Sequence, residues 1–326
     1  MRSSMFGKTI SFSNLHAAYK KAASGCRKNN ELAKFYYNLE KELIKLQEEL
    51  ISGRYLPETY RYFTIYDPKE RTIAVAPFRD RVVHHAVVNI LEPVFEKQFV
   101  FDSYACRKGK GTHAAIERAQ NFIRRRPFYV KADISKYFDS INHSILLNQI
   151  VKKIKDQYLI DLIEKIIAAS HTPGKGLPIG NLTSQFFANL YLDVFDHYMK
   201  DQLGIKCYIR YMDDFLLFGW SNKQVKERFT WAELFLQEKL KLSLKTRITY
   251  YGKSKHGVTF LGMRIYPGTI RVKSENRKRS IKRIINKQSL WQKGEINDEQ
   301  LTSSLESVMA HLQYFNKIRC ELKMSK

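Results

Sequence analysis

Apolar residues recur at helical spacing over several long stretches of the chain, with polar residues between them. In the first long stretch they stand at Tyr36, Leu39, Leu43, Leu46 and Leu50. Gly53 follows as a stop signal, so the pattern predicts a helix that ends there. The same period predicts further helical segments over residues 81–99, 112–124, 144–169, 184–198 and 225–240.

Runs with the composition of β-strands separate these helices. Residues 60–76 are rich in aromatic and β-branched residues on both sides of Asp67-Pro68, which predicts a hairpin with Lys69 and Arg71 at its tip. Strands are also predicted over residues 129–134, 206–218, 242–250 and 259–266, and the 206–218 segment reads as a second hairpin. This order predicts an α+β fold with helices packed on one face of an antiparallel sheet.

The second hairpin carries two adjacent carboxylates, Asp213 and Asp214, in a stretch that is otherwise apolar. Two like charges side by side are costly to bury unless a cation joins them. A hard divalent cation such as Mg2+ prefers oxygen ligands and suits such a tip. Asp133 ends the predicted strand over residues 129–134 and is the candidate for a third carboxylate beside the hairpin; it could instead cap the following turn.

The net charge narrows the choice of partner. The 326 residues include 56 Lys and Arg against 32 Asp and Glu, a formal charge of +24, which favours a polyanion such as nucleic acid or an anionic membrane surface. No apolar run approaches the ~20 residues of a membrane span, and the N-terminus lacks the apolar core of a signal peptide. The four cysteines lie far apart, so we expect a cytoplasmic protein in a reducing compartment.

Three segments resemble the palm motifs of reverse transcriptases: KADISKYFD from Lys131, GLPIGNLTSQ from Gly176 and RYMDD from Arg210. PKER (68–71), PFRDR (77–81), DSYACR (102–107), GKGTH (109–113), LKT (244–246) and FLG (260–262) extend the resemblance in the same order. It implies a right-hand polymerase with fingers, a palm and a short helical thumb. The implied parts are the N-terminal extension and fingers (1–100), the first part of the palm (101–143), the fingers–palm connection (144–183), the second part of the palm (184–266) and the basic helical thumb (267–326).

The resemblance also implies roles for the carboxylates and for several cations. Asp133 and Asp213 would be the principal ligands of two Mg2+ ions, for which Mn2+ is a possible substitute, with Asp214 and the Ile134 carbonyl beside them. The primer 3′-hydroxyl would attack the α-phosphate of a deoxynucleoside triphosphate in a two-metal phosphoryl transfer. Finger cations would hold the triphosphate, and a lysine would protonate pyrophosphate; the implied residues are Lys69, Arg71, Arg79 and Lys245. The three finger cations could instead form a solvated basic loop, and Lys245 could equally have no catalytic role.

Phe138 occupies the position of the aromatic gate under the nucleotide sugar in reverse transcriptases. A bulky ring there would collide with a 2′-hydroxyl and so favour deoxynucleotides. The alternative is that Phe138 is an ordinary core residue.

The loop that ends at Gln185 departs from the common pattern in a characteristic way. Group II intron and retroviral enzymes resemble one another in Gln-Gly-x-x-x-Ser-Pro, whereas this chain has Ile179, Gly180, Ser184 and Gln185 at the corresponding positions. This departure resembles the reverse transcriptases of diversity-generating retroelements. Those bacterial or phage-encoded enzymes copy a template-repeat RNA into cDNA with errors at adenines, in a process called mutagenic retrohoming. Ile179 and Gln185 would then affect fidelity, and a small, basic, helical, oligomeric accessory variability protein is an implied partner.

Residues 271–287 hold eight Lys or Arg and one acid, and they resemble a thumb that follows the RNA/cDNA duplex. The candidate contacts are Arg271, Lys273, Arg277, Lys278, Arg279, Lys282 and Arg283; a merely solvated face is the alternative. Two other functions remain open. One is another bacterial reverse transcriptase (retron, group II intron-like, CRISPR-associated or antiphage), and the other is a catalytically silent RNA-binding scaffold.

Overall fold

The computed structural model describes residues 4–24, 30–66, 70–170, 172–306 and 308. Helices precede, separate and follow the strands, as the apolar periodicity predicts. Their bounds are α1 Met5–Thr9, α2 Phe12–Ala23, α3 Asn30–Tyr37, α4 Leu39–Ile51, α5 Phe78–Phe95, α6 Thr112–Arg125, α7 Tyr137–Ser140, α8 His143–Lys153, α9 Gln157–Ala168, α10 Leu182–Tyr191, α11 Asp193–His197, α12 Asn222–Leu240 and α13 Ser274–Gln292.

The strands form three antiparallel sheets. Their bounds are β1 Arg61–Ile65, β2 Arg71–Val75, β3 Phe128–Asp133, β4 Tyr208–Tyr211, β5 Asp214–Gly219, β6 Tyr250–Lys253, β7 Val258–Phe260, β8 Met263–Ile265 and β9 Ile270–Val272. Strands β1 and β2 form the predicted hairpin, here called the finger hairpin. The central sheet has the order β4-β5-β3-β6, and the small sheet has the order β7-β8-β9.

The central sheet is buried on both faces, because successive residues of its strands enter different hydrophobic clusters. On β5, Phe215 and Leu217 pack in the cluster formed with α8, α10, α11 and α12. Leu216 and Phe218 pack with α6 and the small sheet. Helices therefore cover one face, as predicted. The cover of the second face was not predicted, and it explains why β5 is apolar without alternation.

Two segments differ from the sequence prediction. Residues 242–249 run as a loop that touches the end of β3 through an isolated bridge, and the strand begins only at Tyr250. The helix expected over residues 184–198 is divided into α10 and α11 and continues as a π-helix over Tyr198–Gln202. Both departures are imposed by tertiary contacts, which override local propensity.

The basic segment after residue 267 also begins differently from the prediction. Arg271 lies on β9 of the small sheet, because Ile270 and Val272 on either side of it pack against the buried cluster. Lys273 caps α13, so the helix carries only the later basic residues. Residues 309–326 lie outside the described part of the chain, and among the described residues no helix is long and apolar enough to cross a membrane.

Candidate active site at the tip of the central hairpin

The hairpin of β4 and β5 turns over only two residues, Met212 and Asp213, next to the end of β3. Met212 makes the tight turn possible by adopting the left-handed conformation, with φ of 56°. Asp133 lies directly opposite Asp214 in the β3–β5 register. The Ile134 amide donates to the Asp213 carbonyl at 3.1 Å. The predicted pairing of β3 with the hairpin is therefore confirmed, and it brings Asp133 next to Asp213 and Asp214.

Arg210, just before the turn, is fully buried and holds the hairpin from behind. Its guanidinium forms a forked ion pair with Asp196 of α11, with N–O distances of 2.7 and 2.5 Å. It also donates to the Met212 carbonyl at 3.0 Å, which ties the charge pair to the turn itself. Ser103 and Asn189 accept its remaining hydrogen bonds at 3.0 and 3.2 Å. A buried charge is tolerated here because every donor has a partner.

Two lysines contact the carboxylates. The ammonium group of Lys131 lies 2.9 Å from Asp214 Oδ2, and Lys245 pairs with Asp133 Oδ1. The loop that replaces the predicted 242–250 strand places Lys245 there, because the Lys245 amide donates to the Asp133 carbonyl at 2.8 Å. Lys131 also donates to the Thr259 carbonyl of β7 at 3.1 Å. One lysine thus connects the hairpin to the small sheet.

Burial changes the acidity of the hairpin carboxylates. Burial raises the pKa of Asp214 to about 7, against the stabilising effect of Lys131. Burial also raises the pKa of Asp213, and the neighbouring Asp133 carboxylate adds to the rise. The charge of Arg71, at the start of β2 in the finger hairpin, acts in the opposite direction on the pKa of Asp213. A cationic ligand stabilises the charged form most strongly in carboxylates whose pKa is raised by burial.

The three carboxylates do not form a complete metal cage. In the part of the chain that the structure describes, no three His, Cys, Asp or Glu side chains come together in an arrangement that could hold a metal ion. Lys131 pairs with Asp214 and Lys245 with Asp133, and the predicted metal site of three carboxylates stays a prediction. The residues nevertheless fit a divalent cation: they offer oxygen donors, and Asp214 Oδ1 is buried without a hydrogen-bond partner.

The predicted finger cations differ in their position and in their exposure to solvent. Arg71 begins β2 and is exposed on the side that influences Asp213, whereas Lys69 lies outside the described residues. Arg79 is mostly buried at the base of the finger hairpin, where it pairs with Glu49 and lies 4.9 Å from the centre of the Tyr55 ring. These contacts support the fold, and the predicted role of Arg79 toward a triphosphate stays a prediction.

The loop before α10 is fixed to the finger hairpin. The Ala74 amide of β2 donates to the Ile179 carbonyl at 2.8 Å. Gly180 has φ of +118°, and a Cβ atom there would lie 2.8 Å from the Ala74 carbonyl oxygen, so only glycine fits this approach. Ile179 lines a cavity of ≈ 440 Å³ between the finger hairpin and residues 175–178.

Two further predicted residues lie near this loop. Phe138 is half-buried and packs against the main core, and its carbonyl accepts from the Leu177 amide at 2.8 Å. The ring is therefore partly a core residue, and the proposed gate would be its exposed part. Gln185 of α10 faces Cys106, with 3.5 Å between Oε1 and Sγ.

The predicted thumb residues on α13 form an exposed basic surface, and the helix has no buried residue. Arg271 lies across from Arg264 in the β8–β9 register, and Lys273 pairs with Glu275 at 2.7 Å. Lys273 is thus less available to a phosphate than predicted.

Sequence reasoning missed the positions that support the carboxylates, namely Lys131, Asp196 and the anchoring role of Arg210. A signal was present for two of them: Arg210 is a charge inside an apolar strand, and Lys131 stands two residues before Asp133 and so shares its face of the strand. No feature of the sequence indicated that Asp196 contacts the hairpin.

The β4–β5 hairpin, the finger hairpin and the basic helix α13 define a right-hand polymerase fold. The family model described as reverse transcriptase (RNA-dependent DNA polymerase) matches residues 67–265, more than half of the chain. The chain therefore belongs to the reverse transcriptase family. Domains of this family use divalent metal ions, and Asp133 and Asp213 are the residues that would hold them here, where such ions stabilise charge on phosphoryl oxygens.

Relatives and solved structures agree with this family. Protein YkfC of Escherichia coli is 28% identical over 272 residues, which cover 69% of this chain and 71% of YkfC. The group II intron-encoded protein LtrA of Lactococcus lactis is 26% identical over 320 residues, which cover 74% of this chain and 53% of LtrA. The fold is similar to apo telomerase from Candida tropicalis, with a TM-score of 0.53 and 14% identity over 67% of this chain and 48% of that one.

Proposed function

We propose that this chain is the RNA-directed DNA polymerase of a diversity-generating retroelement, which copies a template-repeat RNA into cDNA with errors at template adenines. The observation that carries the proposal is the Ile179–Gln185 segment, which runs from the loop before α10 into that helix. Ile179 and Gln185 stand where related enzymes have Gln and Pro, and the loop is bonded to the same strand that begins with Arg71.

The position of the loop gives a physical reason why isoleucine in place of glutamine at residue 179 would lower fidelity. Its backbone is fixed by the Ala74 bond and by the close approach at Gly180, so a change at residue 179 alters side-chain chemistry and leaves the loop in place. Isoleucine offers no hydrogen bond to a nucleotide or template base. Without that hydrogen bond, a mispair is less disfavoured in the transition state relative to a correct pair. Discrimination between the two falls by a factor of ten for each ~1.4 kcal/mol of this difference that is lost.

Measuring misincorporation opposite template adenine in Ile179→Gln tests the proposal. We expect errors to fall about tenfold if the amide restores one hydrogen bond to the correct pair. Ile179→Leu is the matched control, since it keeps an apolar side chain and should leave the error rate unchanged. An Ile179→Gln enzyme that extends primers normally and still makes the same errors would count against the retroelement assignment but not against polymerisation.

The same proposal assigns the ligands of the enzyme. Asp133 and Asp213 hold two Mg2+ ions, with Mn2+ as a substitute and with Asp214 and the Ile134 carbonyl nearby. Arg71 meets the triphosphate of the incoming deoxynucleotide, Lys245 donates a proton to pyrophosphate, and α13 follows the RNA/cDNA duplex. A small, basic, oligomeric accessory variability protein assists in a bacterial cytoplasm, whether the gene is chromosomal or carried by a phage.

A second candidate is a bacterial reverse transcriptase of another kind, because YkfC and the intron-encoded protein LtrA are among the relatives. A template and variable repeat pair beside the gene distinguishes the retroelement from this alternative. Asp213→Asn separates both from a silent scaffold: cDNA synthesis should disappear while RNA binding persists, and unchanged synthesis would exclude the site.

A further inference from the structure

The end of the central sheet that lies away from the carboxylates gathers three segments of the chain. Phe128, the first residue of β3, is paired with Gly219 of β5 on one side and with Lys253 of β6 on the other. Residues 124–127 directly precede Phe128, Trp220 directly follows Gly219, and residues 254–256 directly follow Lys253. The Ser254 amide donates to the Pro127 carbonyl at 2.8 Å. The register therefore places these segments at one end of the sheet.

This surface is strongly basic, because two of the contributing segments contain no acidic residue. Residues 118–132 and 249–274 hold many Lys and Arg and neither Asp nor Glu. The cations at the sheet end, here called the far-end patch, are Arg124, Arg125, Arg126, Lys253, Lys255 and Arg264.

The cations of the far-end patch are not neutralised by the protein. Among the described residues none of them forms an ion pair with a carboxylate. The hydrogen bonds of Arg124 and Arg126 go to backbone carbonyls instead. Clustered cations without carboxylate partners create a positive field that attracts an anionic ligand.

An aromatic plane stands within the same patch. Trp220 is 62% exposed, although large aromatic side chains are usually buried, and the Arg126 guanidinium lies 4.2 Å from the centre of its ring. A stacked guanidinium and indole offer a base a surface to stack on, and the surrounding cations offer contacts to phosphates. This combination is typical of nucleic-acid binding and not of a membrane surface.

The patch is separate from the place where nucleotides are joined. It lies at the start of β3, whereas Asp133 ends the same strand, and a strand of this length spans about 17 Å. We propose that the far-end patch binds the phosphate backbone of a folded RNA stem-loop, a part of the template molecule that is not being copied. The patch would then hold the RNA while its single-stranded part enters the active site. This inference does not depend on the retroelement assignment.

The test compares two triple charge reversals that change the net charge equally. Arg125→Glu/Lys253→Glu/Lys255→Glu removes exposed cations of the patch, and Lys152→Glu/Lys153→Glu/Lys155→Glu removes three exposed lysines in and after α8. The probe is a fluorescent RNA stem-loop of about 20 base pairs without a primer, titrated at several salt concentrations. We expect the patch variant to bind at least tenfold more weakly and its salt slope to fall by about three, while the α8 variant binds like the parent.

A second measurement separates this surface from the copying site. Extension of a short primer–template that carries no stem-loop should proceed at the parental rate in the patch variant. Equal stem-loop binding by the two variants would overturn the proposal. Loss of binding to long primer–template duplexes alone would also overturn it, because the patch would then belong to the product path. Thermal unfolding verifies that both variants are folded, and Trp220→Ala should weaken stem-loop binding about fivefold or more.

Discussion

At the scale of single residues, Arg210 has the most demanding environment in the described chain, because its charge has no access to water. Replacing it with Met would leave Asp196 buried without its partner. We expect Arg210→Met to lower the free energy of unfolding by about 3–5 kcal/mol, measured by denaturant titration. Arg210→Lys keeps the charge but loses the fork and one or more of its other bonds, including that to the Met212 carbonyl.

The lysine variant tests whether Arg210 also positions the carboxylates. It should retain more stability than Arg210→Met and yet extend primers more slowly than the parent, because the turn that carries Asp213 is no longer held. An Arg210→Lys enzyme with full polymerase activity would mean that the ion pair serves stability alone. A loss of less than 1 kcal/mol in Arg210→Met would show that Asp196 finds another partner.

Asp193 makes stability depend on pH. Burial raises its pKa from 3.8 to about 6, and the neighbouring Asp196 carboxylate adds to the rise. Between these two values the folded protein holds a proton that the unfolded chain has released, so stability falls as the pH rises from about 4 to 6. Asp193→Asn should therefore raise the free energy of unfolding at pH 7, by about 3 kcal/mol at most.

Asp201 provides the control for this prediction. Its side chain is 65% exposed and contacts His197 at 2.5 Å, and His197 also lies 3.7 Å from Asp193. Asp201→Asn should change stability little, whereas Asp193→Asn should flatten the dependence of the unfolding midpoint on pH between 4 and 6. A parallel pH profile for the parent and Asp193→Asn would show that the carboxyl titrates normally in the folded protein.

At the scale of elements, the junction of the finger hairpin with the loop before α10 depends on Gly180. Gly180→Ala would push Cβ to 2.8 Å from the Ala74 carbonyl oxygen and 2.9 Å from Ile73 Cγ2. The loop must then separate from β2, and we expect primer extension to slow about tenfold or more, as a displacement worth ~1.4 kcal/mol would produce. Single-nucleotide incorporation kinetics measure this rate.

Gly174→Ala is the matched control, because Gly174 also has a positive φ, of +71°, but faces open space. It should cost about 1 kcal/mol of stability through backbone strain and leave incorporation unchanged. Equal rates for the two variants would show that the contact at Gly180 does not position the nucleotide site.

Elements with strong periodicity were predictable from the sequence, and those set by tertiary contacts were not. The finger hairpin, the β4–β5 hairpin and the pairing of β3 with it follow from residue pattern alone. The loop over residues 242–249 has strand-like composition, but its bonds to Asp133 and Ser135 turn it toward the site. Arg79 likewise has the chemistry of a phosphate ligand, and only the fold brings Glu49 beside it.

At the scale of the whole molecule, burial is uneven. Helix α5 has ten buried residues and joins the main core, whereas α13 has none. Local opening is governed by how much apolar surface an element buries. The amides of α13 should therefore exchange with solvent early and those of α5 last, in hydrogen exchange followed by mass spectrometry.

Binding of an RNA/DNA primer–template should change amide exchange only in α13, the helix expected to exchange first. If Arg277, Lys278 and Lys282 contact the duplex backbone, exchange in α13 should slow about tenfold or more while α5 stays as it was. The contacts are ionic, so raising the salt from about 50 to 200 mM should remove the protection. Lys278→Glu/Lys282→Glu should behave at low salt as the parent does at high salt. If the duplex binds and α13 exchanges at its free rate, the helix is not the thumb surface, and its basic residues are only solvated.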